Sequence, residues 1–459
     1  MTPNRWQGNF APITTEYDVP AAKLLGELPR ELNGTLFRNG PNPQFPAPAA
    51  HWFSGDGMLH AFRLGEGRAS YRNRWVRTPK WQAEHGAGRS LGSAFTANEN
   101  GQDRGVANTH VVHHAGHLLA LEEAHLPTRI EPHGLETLGY WNGGGALQGP
   151  FTAHPKLDPQ TGELLFFGYG CDGPLSAGMS YGSIDASGRV TRMERFQAPY
   201  ASMVHDFIVT QRHALFPILP LTASLARAQR GGPPYAWEPE QGASVGIMRR
   251  DGSTAEMRWF RGESCFVFHV MNAWDEGDRI VADVMRFDEP PLFPRPDGTP
   301  TDATRGARLW RWTFDLSERS ERFGQQPLDD LAGEFPRIDE RRTGLAYRHG
   351  WYACKAPGES TPGVYHGIAH VDHASGRTVT HWLPDGDAVS EPVFVPRSAE
   401  APEGDGWLLA TVYRSAEARS DLAVFNATAL EDGAIATVQL SHRVPFGFHG
   451  SWVDAAALG

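Results

Sequence analysis

Across its 459 residues the chain repeats one local pattern: short apolar or alternating segments separated by turns rich in Gly and Asp. Gly162-Glu-Leu-Leu-Phe-Phe-Gly168, Gly188-Arg-Val-Thr-Arg-Met-Glu-Arg-Phe196, Arg279-Ile-Val-Ala-Asp-Val-Met285 and Gly376-Arg-Thr-Val-Thr-His-Trp382 all read as strands. Gln160-Thr-Gly162, Ala186-Ser-Gly188 and Ala374-Ser-Gly376 sit between strand candidates as hairpin turns. Long amphipathic helical patterns are few. The chain is therefore expected to be all-β, with short helical insertions at Ala21 to Leu28 and in the segment after Leu221.

A chain that is 40% hydrophobic and 11% aromatic can bury a large core, which excludes disorder and disulfide-stapled miniproteins. No Pro/Gly/Ser-rich linker or charge block divides it, so residues 1–459 are expected to form a single domain. Sandwiches, barrels and propellers share these local cues. Radial repetition of four-stranded blades is the easiest way to close so long an undivided all-β chain, and seven blades of roughly 60 residues each would use it up.

Composition also narrows function. A net charge of −11, with both signs mixed along the chain, argues against a nucleic-acid partner. Cys171, Cys265 and Cys354 are too far apart for a zinc pattern and odd in number, which suits a reducing, cytoplasmic setting. No stretch approaches the length of a membrane span. Leu215-Phe-Pro-Ile-Leu-Pro-Leu221 could form a greasy lip in weak contact with a bilayer, but core packing is the favoured reading.

Most of the 20 histidines must be surface or hydrogen-bonded core residues. Four stand out, in apolar or tight-turn surroundings beside strand candidates: Phe151-Thr-Ala-His154-Pro, Met203-Val-His205-Asp-Phe207, Val267-Phe-His269-Val-Met271 and Phe446-Gly-Phe-His449-Gly-Ser-Trp452. Four neutral imidazoles suit a borderline divalent metal such as iron(II), zinc or copper. Octahedral coordination would leave two positions open, as an oxygen-activating iron requires. Metal-bound histidines need hydrogen-bond partners, and Glu123, Glu334 and Glu391 are carboxylates in strand or turn contexts. His110, His113, His114 and His117 match no zinc spacing and read as a solvated hairpin. There is no nucleophile elbow, dinucleotide fingerprint or P-loop, so hydrolase, dehydrogenase and kinase readings fall away.

At these segments the sequence resembles the carotenoid cleavage oxygenase family. The resemblance runs from Gly34-Thr-Leu-Phe-Arg-Asn-Gly-Pro-Asn-Pro43 through His51-Trp-Phe-Ser-Gly-Asp-Gly-Met-Leu-His60, the four histidine segments, Glu334-Phe-Pro-Arg-Ile338 and Glu391-Pro-Val-Phe-Val-Pro-Arg397 to His449-Gly-Ser-Trp452. It implies a seven-bladed propeller with short helical insertions covering the metal face. Iron(II) would be bound by His154, His205, His269 and His449, with Glu123, Glu334 and Glu391 holding three of the imidazoles. It also implies that the methyl group of Thr109 shields one open coordination position. The implied reaction is cleavage of a conjugated C=C bond by O2 into two carbonyl products, with the alkene in an apolar tunnel. Phe268, Trp52 and Phe53 are candidates for its wall, and core packing accounts for each equally well.

The middle of the chain, from Pro234 to Gly277, is most similar to the bacterial branch that cleaves lignostilbenes and alkenyl phenols such as isoeugenol. An aromatic alkene is the expected substrate, with an apocarotenoid as the alternative. That branch usually carries a phenol-binding lysine where this chain has Glu122, and Phe95 stands in place of an upstream tyrosine. A non-oxygenase isomerohydrolase and a metal-free binding propeller are the remote alternatives.

Overall fold

The computed structural model describes residues 6–47, 50–92, 103–317 and 320–459. Among these, seven antiparallel sheets of four or more strands and one two-stranded hairpin hold nearly all the regular structure. Within most sheets, strands consecutive in the chain pair with one another, which is the construction of the blades of a seven-bladed β-propeller.

The chain groups into two compact units. One comprises Met1–Asn142, Gly363–His370 and Val379–Gly459. It contains the meander His110–His114, His117–Leu121, Thr128–Ile130, Thr137–Tyr140, and the sheet built on Gly406–Arg414, Arg419–Asn426 and Ala434–Gln439. Its five-stranded sheet is closed by the end of the chain: Gly450–Asp454 lies beside Gly34–Pro41, with Phe37 opposite Ser451 and Arg38 opposite Gly450. A Cβ on Gly450 would come within 2.5 Å of the Phe37 carbonyl oxygen, so only glycine allows this approach. The core of the unit packs Leu36, Phe62, Trp407, Leu422 and Val438, each at most 1% exposed. Burying side chains of this size stabilises the fold by about 1.5–3 kcal/mol each.

The second unit, Gly143–Pro362 and Val371–Thr378, carries three meandering sheets that begin with the strands Lys156–Leu157, Ile208–Val209 and Phe266–Glu276. Phe167, Tyr181, Phe207 and Phe216 fill its core with edge-to-face and stacked rings. The remaining sheet runs Gly333–Ile338, His349–Cys354, Gly367–Asp372, Arg377–Trp382.

The three hairpin turns read from the sequence form as expected, each around an Asp and a left-handed Gly. Gly162, Gly188 and Gly376 have φ of 71°, 86° and 67°. Their N–H groups donate to the carbonyls of Asp158, Asp185 and Asp372, while the Asp side chains accept from the N–H groups of Gln160, Ser187 and Ala374. Two local expectations fail. Residues 21–28 are not helical: Lys23–Gly26 is a strand paired with Ala434–Gln439. Its Lys-Leu-Leu run is a good helix former, but pairing with a sheet edge outweighs that propensity. Pro79–Ala87 is a helix that was not expected, started by the Thr78 side chain and ended by left-handed Gly88. After Leu221 the helix is shorter than expected, Leu225–Gln229. Leu215, Phe216, Ile218, Leu219 and Leu221 are all buried, as core packing requires. Among the described residues no helix is long and apolar enough to cross a membrane.

Candidate metal centre

Three of the four histidines stand just before a sheet-edge strand, and the fourth lies within one. His154 and His205 precede the strands opening at Lys156 and Ile208, and His449 precedes Gly450–Asp454. His269 lies inside Phe266–Glu276 where the register slips twice, between Val267 and Val270 and again before Asn272. The bulge takes His269 out of the pairing ladder and re-aims its side chain.

The imidazoles converge. One ring nitrogen from each of His154, His205, His269 and His449 lies within 4.8 Å of all the others. All four residues are buried, between 4% and 8% exposed. The His154 and His205 Nε2 atoms are 3.0 Å apart, and those of His205 and His269 are 3.1 Å apart.

Glu334 and Glu391 fix the tautomers. The His269 Nδ1–H donates to Glu334 Oε2, and the His449 Nδ1–H donates to Glu391 Oε1 at 2.8 Å. The Nε2 atoms of His269 and His449 are then left with a bare lone pair each. Four buried imidazole nitrogens this close together, two of them presented as acceptors, form a donor set that fits a divalent metal. Metal–nitrogen bonds of about 2.0–2.1 Å at right angles put neighbouring nitrogens about 2.8–3.0 Å apart, against about 3.3–3.4 Å for a tetrahedron. The observed 3.0 and 3.1 Å separations are short enough for the three nitrogens concerned to reach one ion.

Other expected residues fall around this core. The Thr109 carbonyl accepts the His449 N–H at 3.1 Å, and its hydroxyl donates to Asn108 at 3.0 Å. Phe268 is buried edge-on to the His205 ring at 5.3 Å. Trp52 and Phe53 pack on Phe448, the residue before His449, at 4.6 and 5.4 Å. Glu123 is half-buried in the bend after His117–Leu121. Beside it, Glu122 forms an ion pair with His125, whose other ring nitrogen is 3.6 Å from Asp103. Burial alone would lower the His125 pKa, but the Glu122 and Asp103 carboxylates outweigh it and lift it to about 9. Phe95 lies outside the described residues. The His110 to His117 segment forms the expected hairpin, but His114 is buried and His110 packs 5.2 Å from the His449 ring.

Several residues at the centre were not anticipated. Phe335 stacks on His269 at 5.4 Å from a left-handed backbone (φ 58°), and its N–H donates to Glu334. Buried Arg38 donates to the carbonyls of Glu391 and Phe448, 3.4 and 2.9 Å away. Asp206, next to His205, accepts the Val270 N–H at 3.0 Å. The only sequence signal was adjacency to Glu334 for Phe335 and to His205 for Asp206, and for Arg38 its place in the Gly34–Pro43 segment.

Seven blades carrying a converged set of four imidazoles define a propeller metalloprotein. Residues 10–454 match the family described as RPE65, retinal pigment epithelial membrane protein. The chain belongs to this family, the carotenoid oxygenases, as its sequence resemblance implied. It is 37% identical to isoeugenol monooxygenase of Pseudomonas putida over 97% of both chains. It is 36% identical to lignostilbene-α,β-dioxygenase isozyme III of Sphingomonas paucimobilis, over 98% of this chain and 97% of that one. The crystal structure of Pseudomonas brassicacearum lignostilbene dioxygenase superposes with a TM-score of 0.94 at 35% identity, covering 99% of this chain and all of the other.

Proposed function

We propose that the protein is an iron(II)-dependent oxygenase that cleaves the conjugated C=C bond of an aromatic alkene with O2. One alkene and one O2 give two carbonyl compounds, so no organic reductant enters the balance. The observation that carries the reading is the convergence of four buried imidazole nitrogens within 4.8 Å of one another, two of them with tautomers fixed by carboxylates. Full-length relatives at 36–37% identity that act on isoeugenol and lignostilbene support the aromatic substrate class.

When bound, the metal supplies the redox and oxygen-binding chemistry. The chain supplies orientation and exclusion of water. Glu334 and Glu391 hold His269 and His449 in the tautomer that presents Nε2. Phe268 packs on His205, and Trp52 and Phe53 pack on Phe448 beside His449, so each of these histidines has apolar, aromatic neighbours of the kind that suit an aryl ring and keep bulk water away. Thr109, hydrogen-bonded to the His449 backbone, is assigned to shield one coordination position. Glu122 enters as half of an ion pair. A carboxylate already compensated by His125 offers little to a phenol O–H, so recognition of the ring rests on packing more than on a charged contact.

The test is oxygen uptake by iron(II)-reconstituted protein, with product identification, against a stilbene phenol, isoeugenol, 4-vinylguaiacol and an apocarotenal. One O2 consumed and two aldehydes formed for each aromatic alkene cleaved is the expected result. Cleavage of the apocarotenal alone would overturn the substrate class, and turnover without oxygen uptake would overturn the oxygenase.

A further inference from the structure

Asp206 is a buried carboxylate whose contacts reach three ligand-bearing segments. Its side chain is 3% exposed. Oδ1 accepts from Lys156 Nζ at 2.7 Å and from the Phe207 N–H at 2.8 Å, and Oδ2 accepts the Val270 N–H at 3.0 Å. Lys156 is two residues after His154, Asp206 directly follows His205, and Val270 directly follows His269. One carboxylate therefore ties together the backbones that carry three imidazoles.

The Val270 contact falls at the bulge. Val267 pairs with Arg286 and Val270 with Val284, so Phe268 and His269 are looped out of the ladder between them. A bulge adds local freedom to a strand, and the direction of the His269 ring depends on how its C-terminal side is pinned. Asp206 pins it through the first N–H after the histidine. Lys156, with its side chain 19% exposed, provides the countercharge that makes burial of the carboxylate tolerable, and the same contact ties down the segment bearing His154.

We propose that Asp206 is a positioning residue for the metal centre: bridging Lys156, the His205 segment and the Val270 N–H, it sets the spacing of the three Nε2 atoms of His154, His205 and His269. The inference rests on the proposed metal site and concerns its geometry, not its reaction. In Asp206→Asn the amide has one acceptor oxygen for donors that now use two, and its NH2 group turns toward either Lys156 or the Val270 N–H. The spacing then relaxes even though all four histidines remain.

The experiment titrates apoprotein with Co(II), following the visible d–d bands, alongside thermal melting of the apo forms. Wild type is expected to bind one equivalent. Asp206→Asn is expected to bind at least about tenfold more weakly, the range found when partners of metal ligands are lost, and with altered bands. The control is Asp283→Asn. Asp283 is a fully buried carboxylate in the same unit that accepts from Arg311 at 2.8 and 2.9 Å and from Tyr347 at 2.8 Å. Its loss should lower the melting temperature and leave Co(II) affinity and spectrum unchanged. Wild-type affinity and bands in Asp206→Asn, or an equal loss in Asp283→Asn, would overturn the proposal. If Asp206→Asn does not fold, Lys156→Gln carries the test: Co(II) binding weakened at least about threefold supports the clamp, and unchanged binding overturns it. Failure of the wild-type protein to bind Co(II) would instead strike at the metal reading itself.

Discussion

Replacing Glu391 by Gln removes one charge and turns one acceptor oxygen into a donor where both oxygens accept. Oε1 takes the His449 Nδ1–H and Oε2 the Gly450 N–H, each at 2.8 Å, and Arg38 Nη1 is 4.0 Å from Oε2. An amide can satisfy only one of the two N–H donors. The other faces an NH2 group in the interior, which costs about 1–3 kcal/mol. Arg38, at 3% exposure, also loses its countercharge but keeps the Glu391 and Phe448 carbonyls, so the combined loss of stability should be about 2–4 kcal/mol. Metal affinity should fall about 10–100-fold because His449 is no longer held by a carboxylate. Co(II) titration and apo-protein melting read the two effects separately. A lowered melting temperature with unchanged Co(II) affinity would refute the reasoning, since Glu391 would then serve only Gly450 and Arg38.

Two further predictions concern stability. Phe335 holds a left-handed φ of 58°, a conformation that costs a residue with a Cβ about 1–2 kcal/mol. Phe335→Gly should therefore be more stable than Phe335→Ala by about 1 kcal/mol in chemical denaturation, although both lose the ring that stacks on His269; equal stability of the two would count against backbone strain there. The pKa of His125 is raised from 6.5 to about 9 on folding, so its contribution to stability is fully present below pH 6.5 and is lost as the pH rises through about 9. Between those limits the melting temperature of the wild type should fall more steeply with pH than that of His125→Gln, and parallel profiles would contradict the ion pair with Glu122.

The four histidines were legible because each is set among apolar residues or in a tight turn beside a strand, a context that surface histidines lack. The hairpin glycines were legible because a left-handed turn is a local requirement. Asp206 and Arg38 could not be found the same way. The Asp206 role exists only where segments separated by about fifty or more residues meet, and a lone Asp after a histidine carries no such information. The Pro79–Ala87 helix had both of its signals in view, Thr78-Pro79 and Gly88, but its few apolar positions gave no clear helical stripe. The Ala21 to Leu28 segment failed for the opposite reason, since its local propensity was clear and a partner more than 400 residues away overrode it.

The strand that closes the first sheet comes from the end of the chain, and His449 is the residue before it. During synthesis the other three ligands leave the ribosome long before this one, and the sheet begun at Gly34 waits with an open edge until Gly450–Asp454 arrives. Sealing of that edge and delivery of the fourth imidazole are thus one event. Removing residues 448–459 would take away the sealing strand and the His449 imidazole together, so the loss of the sheet edge and the loss of the fourth ligand cannot be separated by truncation.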